Sequence, residues 1–309
     1  MRKFLLKIGL FFTLVALIDV ACGFAFNVLT KNAKYGETSK NYYIANVSED
    51  DVIVLGSSHA IRHYVPSIIQ DSLGLTCYNC GEPGCGIIPA YARYKMIAER
   101  HKPKLVIYEI TPEYDYLVAD DYSKYLGRVK QYANKKPVAE MYHTFGDDLD
   151  HLRLLSNMYR NNSCLIQNVM DIVVPTDDYR GYGPLYGILT EEAISMNSQT
   201  QVEKDVKGNT IDSLKLSFVE RLFEEVQKDN VKLMCVISPV FSATPQELND
   251  KYTPAIELCR KYGLPFVDNR YVNGISDNMG LFQDMGHLND NSARKYTSSL
   301  VTAIKSYLD

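Results

Sequence analysis

Short apolar runs alternate with longer helical patterns along the chain from residue 51 onward. The short runs predict strands at residues 51–55, 75–79, 105–110, 233–237 and 266–267. Apolar residues that recur with a helical period predict helices at residues 61–73, 88–100, 211–229, 245–262 and 291–308. Strands that alternate with helices of this length form parallel sheets with right-handed crossovers, so the predicted fold class is α/β.

The amino-terminal stretch differs, because its apolar side chains leave no polar face. Residues 8–26 carry a charge only at Asp19 and are long enough to cross a bilayer. Basic residues precede this run at Arg2, Lys3 and Lys7. We therefore expect residues 1–30 to be a single membrane anchor with a cytoplasmic amino end and an extracytoplasmic domain. A cleaved signal peptide is the alternative, but no small-x-small cleavage site stands out. The missing polar face argues against a buried core helix.

The alternation of strands and helices stops between about residues 113 and 210. This interval is rich in Tyr, Asn and Asp, and residues 179–187 form a turn-rich aromatic loop. We interpret it as an insertion into an α/β domain that covers residues 31–309. A helical cap packed on the sheet is the favoured interpretation of the insertion, and a lid or a sugar-binding rim is the functional alternative.

Composition and charge are those of an ordinary globular protein. The 309 residues are 46% hydrophobic and 23% charged, enough to bury a core as one large domain or two modest ones. The formal net charge is −4 and the isoelectric point is near 5.9. Because nucleic-acid-binding proteins present clustered Lys and Arg, and no such block occurs here, we exclude nucleic acid as a partner.

The seven cysteines do not by themselves define a site. Cys22 belongs to the anchor, and sparse cysteines in a large domain are usually plain buried residues. Cys77, Cys80 and Cys85 cluster in sequence, so a disulfide among them stays open. A zinc site would need a fourth ligand that the sequence does not identify. We predict no metal and no cofactor.

A serine turn follows the first predicted strand. Gly56 permits a sharp turn, which leaves a serine hydroxyl at the carboxyl end of the strand, where open α/β sheets bind ligands. A neutral hydroxyl needs an imidazole to take its proton and a carboxylate to orient that imidazole. The Asp284-x-x-His287 segment supplies both groups within one turn. These residues predict a serine esterase or acyltransferase in which a serine of the turn is the nucleophile, His287 the base and Asp284 the orienting carboxylate.

The serine turn resembles the first conserved block of the SGNH, or GDSL-like, hydrolase superfamily. That block is a strand ending in Gly-Asp-Ser, and Gly56-Ser57-Ser58 matches it with Ser57 in place of the usual aspartate. The resemblance therefore assigns the nucleophile to Ser58. The form Gly-Ser-Ser-His is similar to that of membrane-anchored envelope acyltransferases and polysaccharide O-acetylation proteins of the superfamily.

Two further blocks of the superfamily are matched in the right order. Asn79 and Gly84 fit the second block, Asn-x-x-x-x-Gly, and Asp284 with His287 fit the fifth, Asp-x-x-His. The resemblance implies that the backbone N–H groups of Ser58 and Gly84 form an oxyanion hole. It also implies a three-layer α/β/α sandwich with a five-stranded, mostly parallel sheet of the flavodoxin-like type.

One block of the superfamily is missing. After the third strand the family usually has Gly-x-Asn-Asp, whose asparagine is a further oxyanion donor, whereas residues 111–115 read Thr-Pro-Glu-Tyr-Asp. A carboxylate at Glu113 would repel an oxyanion. Either Tyr114 or a backbone amide substitutes for the asparagine, or that donor is absent. Loss of one oxyanion donor typically costs about 10²- to 10³-fold in rate.

Several other residues are candidates for the pocket. Ser57 is the alternative nucleophile. His59 and His63 are spaced like a surface or core pair, and we expect His59 at most to line the pocket. Glu109 ends a predicted buried strand and is either a pocket residue or a salt-bridged carboxylate. The loop that begins at Ser238 is expected to border the site. The candidate pocket residues are Ser57, His59, Asn79, Glu109, Glu113 and Tyr114.

The sequence leaves two hypotheses of function. The first is an anchored extracytoplasmic enzyme that removes or transfers an acyl group, with acetyl expected, through an acyl-serine intermediate. Its substrate would be a cell-envelope or secreted glycan or a small ester, and the sequence does not separate hydrolysis from transfer. The second is a catalytically weak or inactive envelope scaffold, or a glycan-binding protein, on the same fold.

Overall fold

The computed structural model of the protein describes residues 1–118, 121–195, 210–242 and 250–308. The chain divides into two compact units. Met1–Val47 and Tyr122–Thr176 form one, here called the helical unit. Ser48–Asp121 and Asp177–Asp309 form the other, called the sheet unit.

A parallel sheet lies at the centre of the sheet unit. Its strands are β1 (Val52–Leu55), β2 (Cys77–Asn79), β3 (Leu105–Glu109), β4 (Lys232–Ile237) and β5 (Phe266–Asp268). The five strands have the order β2-β1-β3-β4-β5, and each neighbouring pair is parallel. This is the strand order of flavodoxin-like folds. The predicted α/β fold class with a five-stranded parallel sheet is confirmed.

Helices account for most of the remaining described chain. Those of the helical unit are α1 (Arg2–Asn32), α2 (Gly36–Asn46), α7 (Ser123–Gly127), α8 (Lys136–Phe145), α9 (Asp150–Arg153), α10 (Asn157–Asn161) and α11 (Leu165–Val173). Those of the sheet unit are α3 (Ser58–His63), α4 (Pro66–Leu73), α5 (Ile87–Ala98), α6 (Pro112–Asp115), α12 (Ser213–Lys228), α13 (Thr253–Lys261) and α14 (Asp290–Leu308). Single 3₁₀ turns occur at Lys130–Tyr132, Asp250–Tyr252 and Met279–Leu281.

Helices cover both faces of the sheet, which makes three layers. On one face, Val54 of β1 and Ile107 of β3 share a core with residues of α3, α4 and α14. On the other face, the Tyr108 ring meets Phe223 of α12 edge to face, with ring centroids 6.4 Å apart. Every residue of β1 and β3 is buried. Burial on both faces explains why these strands appear in the sequence as continuous apolar runs.

The helix predicted over residues 61–73 is in fact two helices, α3 and α4. Pro66 is the first residue of α4, and Val65 before it has extended backbone angles of φ −96° and ψ 107°. A proline disfavours helical geometry in the residue before it, so one continuous helix cannot pass this point. Gly74, in the left-handed conformation, ends α4 after Leu73, where the predicted helix also ended.

The interval predicted as an insertion is shared between the two units. Its residues 122–176 form α7 to α11 and belong to the helical unit together with α1 and α2. Residues 177–195 belong to the sheet unit, and residues 196–209 lie outside the described part of the chain. The same holds for residues 245–249 of the helix predicted at 245–262. The predicted domain limits, at residues 30/31 and about 113–210, stay predictions.

Helix α1 is long and apolar enough to cross a membrane, and its most apolar stretch is not buried at all. It is compatible with a membrane anchor or a signal sequence. All seven cysteines are free thiols, so the disulfide that the sequence left open among Cys77, Cys80 and Cys85 is not formed.

Gly56 makes the turn between β1 and α3. Its φ is +137°, and a Cβ atom placed there would lie 2.6 Å from the Glu109 carbonyl oxygen and 2.9 Å from the Glu109 Cβ. Residues with a side chain rarely adopt this φ, and β3 leaves no room for a Cβ atom. The close approach of the turn to the end of β3 therefore depends on glycine.

We expect Gly56→Ala to lower the free energy of unfolding by roughly 2–4 kcal/mol, because it adds both an unfavourable φ and a backbone clash. Gly74→Ala is the matched control. Gly74 also has a positive φ, of 67°, but no other atom lies within 4 Å of the place that a Cβ atom would take there. Its cost should be only about 1–2 kcal/mol. Thermal unfolding of the full chain in detergent measures both, and equal losses in the two variants would contradict the clash at Gly56.

Candidate active site

The local sequence presents Ser58 at the carboxyl edge of the sheet. Ser57 precedes α3 and Ser58 is the first residue of that helix, where it is partly exposed. The loop after β2 is held against this turn, since the Glu82 N–H donates to the Gly56 carbonyl at 2.9 Å. Gly81 lies so close to α3 that a Cβ atom on it would be 2.6 Å from the Ile61 nitrogen. The serine turn at residues 56–58, called the nucleophile turn, and the glycine-rich loop at residues 79–86 therefore pack directly against each other.

The structure brings together the serine, the histidine and the aspartate that the sequence singled out. Ser58 Oγ lies 2.8 Å from His287 Nε2. On the other side of the ring, His287 Nδ1 lies 2.9 Å from Oδ1 of Asp284 and 2.9 Å from its Oδ2. All three side chains belong to the sheet unit. This is the geometry that lets a histidine take a proton from a serine hydroxyl.

A short loop holds the His287 ring in this position. The Gln283 N–H donates to the His287 carbonyl at 2.8 Å, which closes the loop. Asp284 Oδ1 accepts the backbone N–H groups of Gly286 and His287 at 2.8 and 2.9 Å. Burial raises the pKa of the Asp284 carboxyl, but the hydrogen bond and charge of His287 and these two N–H groups bring it below its ordinary value. An ionised Asp284 keeps the proton of neutral His287 on Nδ1, so that Nε2 faces Ser58 as an acceptor.

Ser57, the alternative nucleophile, points elsewhere. Its side chain is fully buried, and its Oγ lies 2.7 Å from Thr111 Oγ1. The hydroxyl that reaches the histidine is therefore that of Ser58. Ser57 instead ties the nucleophile turn to the segment after β3.

Asn79 connects the glycine-rich loop to α3. Its side-chain Nδ2 donates to the Ala60 and Tyr64 carbonyls at 2.7 and 2.9 Å, and its Oδ1 accepts the Gly81 N–H at 3.0 Å. The side chain is fully buried, so it packs within the protein and does not line an open pocket. Gly84 has a φ of +66° in the same loop. The role of its N–H as an oxyanion donor stays a prediction.

Residues 111–115, which stand in place of the missing block, hold the Glu113 carboxylate at the surface. Glu113 is exposed, and its Oε1 accepts a hydrogen bond from Lys251 Nζ at 2.6 Å. The repulsion that the sequence suggested is therefore weakened by a paired cation. Tyr114 is partly buried, and burial, followed by the nearby Glu113 and Cys85, raises its pKa. A Cβ atom placed on Gly86 would lie 2.6 Å from the Tyr114 carbonyl carbon, so Tyr114 lies beside the glycine-rich loop. Its role as the missing donor stays a prediction.

Glu109 is a fully buried carboxylate beneath the site. Its Oε1 accepts the N–H of Ser238 at 3.0 Å and the hydroxyl of Ser238 at 2.7 Å. Its Oε2 accepts a short hydrogen bond from the Tyr64 hydroxyl. His59 Nδ1 lies 3.5 Å from Oε1, close enough for an ion pair when His59 is protonated. Several donors thus compensate the cost of burying this carboxylate. Glu109 is therefore a hydrogen-bonded core group that reaches the pocket through His59.

His59 and His63, whose spacing suggested a surface or core pair, form a cluster of rings with His287. His59 and His63 stack with centroids 5.0 Å apart, and His59 meets the His287 ring edge to face at 5.4 Å. His63 Nε2 accepts the Leu288 N–H at 3.0 Å, so its own proton is on Nδ1, which donates to Ser238 Oγ at 2.7 Å. Burial, followed by the charges of His59, His287 and Arg62, lowers the pKa of His63 well below its usual value.

No sequence signal indicated the contribution of Tyr64. The sequence placed the Ser238 loop beside the site, but it did not reveal the bond from Ser238 to Glu109. The only signal for the histidine cluster is the four-residue spacing of His59 and His63, which places both on one face of α3. Despite this cluster, no group of three or more His, Cys, Asp or Glu side chains suited to a metal ion occurs among the described residues.

Comparison with known proteins gives a distant structural likeness. No protein-family model matches the chain, and no curated protein matches it. Among solved structures, the chain is similar to an acetyl xylan esterase, AlAXEase, with a TM-score of 0.40 and 12% sequence identity. The match covers 82% of this chain and 99% of that one. A likeness of this degree carries no argument about function, so any functional assignment depends on the site itself.

Asp115 gives the site region a pH-dependent stability. Its two oxygens accept hydrogen bonds from the Tyr108 hydroxyl and the Thr111 N–H, each at 2.7 Å. Burial nevertheless raises the pKa of Asp115 from 3.8 to about 7, against the lowering effects of these bonds and of Lys215. Because the folded state retains this proton, the stabilisation is complete below pH 3.8 and is lost as the pH rises to about 7.

We expect Asp115→Asn to remove this loss of stability between pH 3.8 and about 7, because asparagine does not titrate. The readout is the change of the unfolding midpoint with pH, since the absolute stability of the variant also reflects its altered hydrogen bonds. Asp148→Asn, at an exposed position, is the control with the same change of side chain. An Asp115→Asn profile parallel to that of the wild type would contradict the assignment.

Proposed function

We propose that the protein is a serine-dependent esterase or acyltransferase of the SGNH type, acting through an acyl-serine intermediate. The observation that carries the proposal is the distance of 2.8 Å between Ser58 Oγ and His287 Nε2, with Asp284 on the far side of the ring. The match of Gly56-Ser57-Ser58, Asn79 with Gly84, and Asp284 with His287 to three blocks of that superfamily supports the same assignment.

The chemistry follows from the proton positions. Ser58 Oγ attacks the ester carbonyl carbon while its proton passes to His287 Nε2, and the resulting imidazolium is stabilised by Asp284. The carbon–oxygen bond of the ester then breaks, and the proton on His287 passes to the departing alcohol. Water or a second hydroxyl attacks the acyl-Ser58 ester in the reverse sequence and restores the serine. Hydrolysis and transfer differ only in this acceptor.

Backbone N–H groups are the proposed oxyanion donors. Ser58 is the first residue of α3, and the first N–H groups of a helix have no partner within that helix. The Ser58 N–H is therefore available to a negative oxygen on the attacked carbon, and we assign the Gly84 N–H as the second donor. Tyr114, beside the glycine-rich loop, is a third candidate.

An extracytoplasmic glycan that carries O-acetyl groups is the substrate we propose, with a small ester as the alternative. The aromatic loop at residues 179–187 supports this substrate class, because its end is joined to the histidine loop. The Gly187 N–H donates to Gln283 Oε1 at 2.6 Å, and the Leu189 N–H donates to the Phe282 carbonyl at 2.7 Å. Tyr186 is 67% exposed in this segment. Its ring is thus available to stack on a sugar bound near Ser58. The apolar run of α1 and the basic residues at its amino end support anchoring with this site outside the cytoplasm.

We expect a fluorophosphonate probe to label the wild-type protein at Ser58, because such probes report an activated serine. Ser58→Ala should abolish labelling and acetate release from acetylated glycans and from p-nitrophenyl acetate. Asp284→Asn should lower the rate of acetate release by about 10³- to 10⁴-fold, because the histidine loses its orienting carboxylate.

Ser57→Ala is the matched control, since it removes a neighbouring hydroxyl that is bonded to Thr111 and does not face His287. It should keep the labelling at Ser58. Folded wild-type protein that is not labelled would rule out the enzyme and favour the scaffold or glycan-binding hypothesis. Labelling together with activity on the small ester alone would exclude a glycan substrate while leaving the serine chemistry intact.

A further inference from the structure

Helix α11 buries its polar side and exposes its apolar side. The residues that it buries are Asn168 and Asp171. Its apolar side chains point outward, with exposed fractions of 80% at Ile166, 45% at Val169 and 65% at Val173. A helix on the surface of a water-soluble protein shows the opposite arrangement.

Hydrogen bonds to α2 and to the link before it lock this orientation. Asp171 Oδ2 accepts the Thr38 N–H at 2.8 Å, and the Thr38 hydroxyl donates to Asn168 Oδ1 at 3.0 Å. The Asp171 carbonyl accepts the N–H groups of Lys34 and Tyr35 at 2.9 and 3.0 Å. To turn the apolar side inward, α11 would have to break these bonds. These hydrogen bonds within the helical unit therefore hold the apolar face of α11 outward.

Helix α1 also directs a polar group inward, at Asp19, the one charge in its apolar run. The Asp19 carboxylate accepts the Ser156 hydroxyl at 2.6 Å and the N–H groups of Asn157 and Met158 at 2.8 and 2.9 Å. These groups are at the amino end of α10, where a negative charge is favourable. At Gly23 a Cβ atom would lie 2.5 Å from Asn157 Cγ, so the glycine permits close packing of the two helices. Polar groups are again inside and apolar groups outside.

The outward face of α11 belongs to a larger apolar surface. We call this the outer apolar surface, and its exposed members are Leu149, Leu152, Leu155, Met158, Leu165, Ile166, Val169, Met170, Val173 and Val174. Water-soluble monomers rarely expose so many large apolar side chains in one segment. In lipid the same arrangement is favourable, because apolar side chains meet the hydrocarbon and polar groups are satisfied internally.

We propose that the outer apolar surface is inserted into the non-cytoplasmic leaflet of the membrane, beside α1. Helices α10 and α11, which carry most of its members, both pack against α1. A lipid occupant is favoured over a protein partner because the same segment satisfies the Asp19 charge, which would be costly in hydrocarbon if left unpaired. The inference goes beyond the proposed chemistry and depends on insertion of α1.

The lengths of α1 and α11 determine how deeply the outer apolar surface lies in the membrane. Asp19 is 12 residues after Lys7, the last basic residue before the apolar run. At 1.5 Å per residue this is about 18 Å along α1, past the middle of a hydrocarbon core about 30 Å thick. Helix α11 has nine residues, about 14 Å, and is too short to span that core. The segment therefore enters one leaflet only, the leaflet away from the basic amino end.

Site-specific quenching tests the proposal in the full chain. The environment-sensitive dye NBD is attached to single cysteines made by Ile166→Cys and Val173→Cys, with the two partly exposed native thiols removed by Cys22→Ala and Cys164→Ala. Each protein is reconstituted in phosphatidylcholine and phosphatidylglycerol vesicles, with and without nitroxide-labelled lipid. We expect positions 166 and 173 to lose most of their fluorescence to the nitroxide lipid and to be shielded from aqueous iodide.

Two reference positions make the result decisive. Asn134→Cys, at an exposed polar site of the same unit, should be quenched by iodide and little affected by the nitroxide lipid. Leu10→Cys reports insertion of α1 itself. Quenching at position 10 with positions 166 and 173 behaving like 134 would overturn the proposal and assign the outer apolar surface to water or a protein partner. Absence of lipid quenching at position 10 would overturn it through loss of the anchor. Fluorophosphonate labelling at Ser58 is a separate measurement, so failure of the enzyme hypothesis would be recognised independently.

Discussion

The contact between Ser58 Oγ and His287 Nε2 joins two groups that are 229 residues apart in the chain, and the proposed chemistry depends on it. Neither group is positioned by its own segment alone. His63, one turn after Ser58 on α3, accepts the Leu288 N–H at 3.0 Å through its ring, and its carbonyl accepts the Thr297 hydroxyl at 3.0 Å. These bonds fix the histidine loop and α14 to the helix that carries the serine. The Ser58–His287 distance therefore also depends on a neighbouring histidine that takes no part in the proposed proton transfer.

Buried polar groups beneath the site favour one arrangement of the strand ends in the sheet unit. Glu109 accepts hydrogen bonds from Ser238 and Tyr64, and Asp115 accepts hydrogen bonds from Tyr108 and Thr111. A buried carboxylate without such donors would cost several kcal/mol, so each network strongly favours one arrangement of the strand ends. Because Glu109 ends β3 beside the Gly56 turn, the same network that satisfies its charge also restricts the position of the nucleophile.

The sheet unit and the two helices α1 and α11 follow opposite rules of burial. In the sheet unit, apolar side chains fill the core on both faces of the strands. In the helical unit, α1 and α11 direct apolar side chains outward and satisfy Asp19, Asn168 and Asp171 internally. The first arrangement minimises apolar contact with water, and the second minimises polar contact with hydrocarbon. The difference in burial is therefore the physical basis for the proposal that α1 and the outer apolar surface meet lipid.

The sequence by itself determined what depends on local pattern. The short apolar runs predicted the parallel α/β sheet, and the long apolar run at the amino end predicted α1. The serine turn and the Asp-x-x-His segment identified the three side chains that meet. The break before Pro66 was also a local signal, and the helical periodicity of residues 61–73 masked it. Tertiary structure decided the rest. Whether Glu113 repels an anion depends on Lys251, 138 residues away, and the environment of Glu109 depends on Ser238, 129 residues away. The outward apolar face of α11 depends on bonds from Asp171 and Asn168 to Thr38. A hydrogen-bond partner or a direction of burial is a property of distant segments in contact, and no local pattern encodes it.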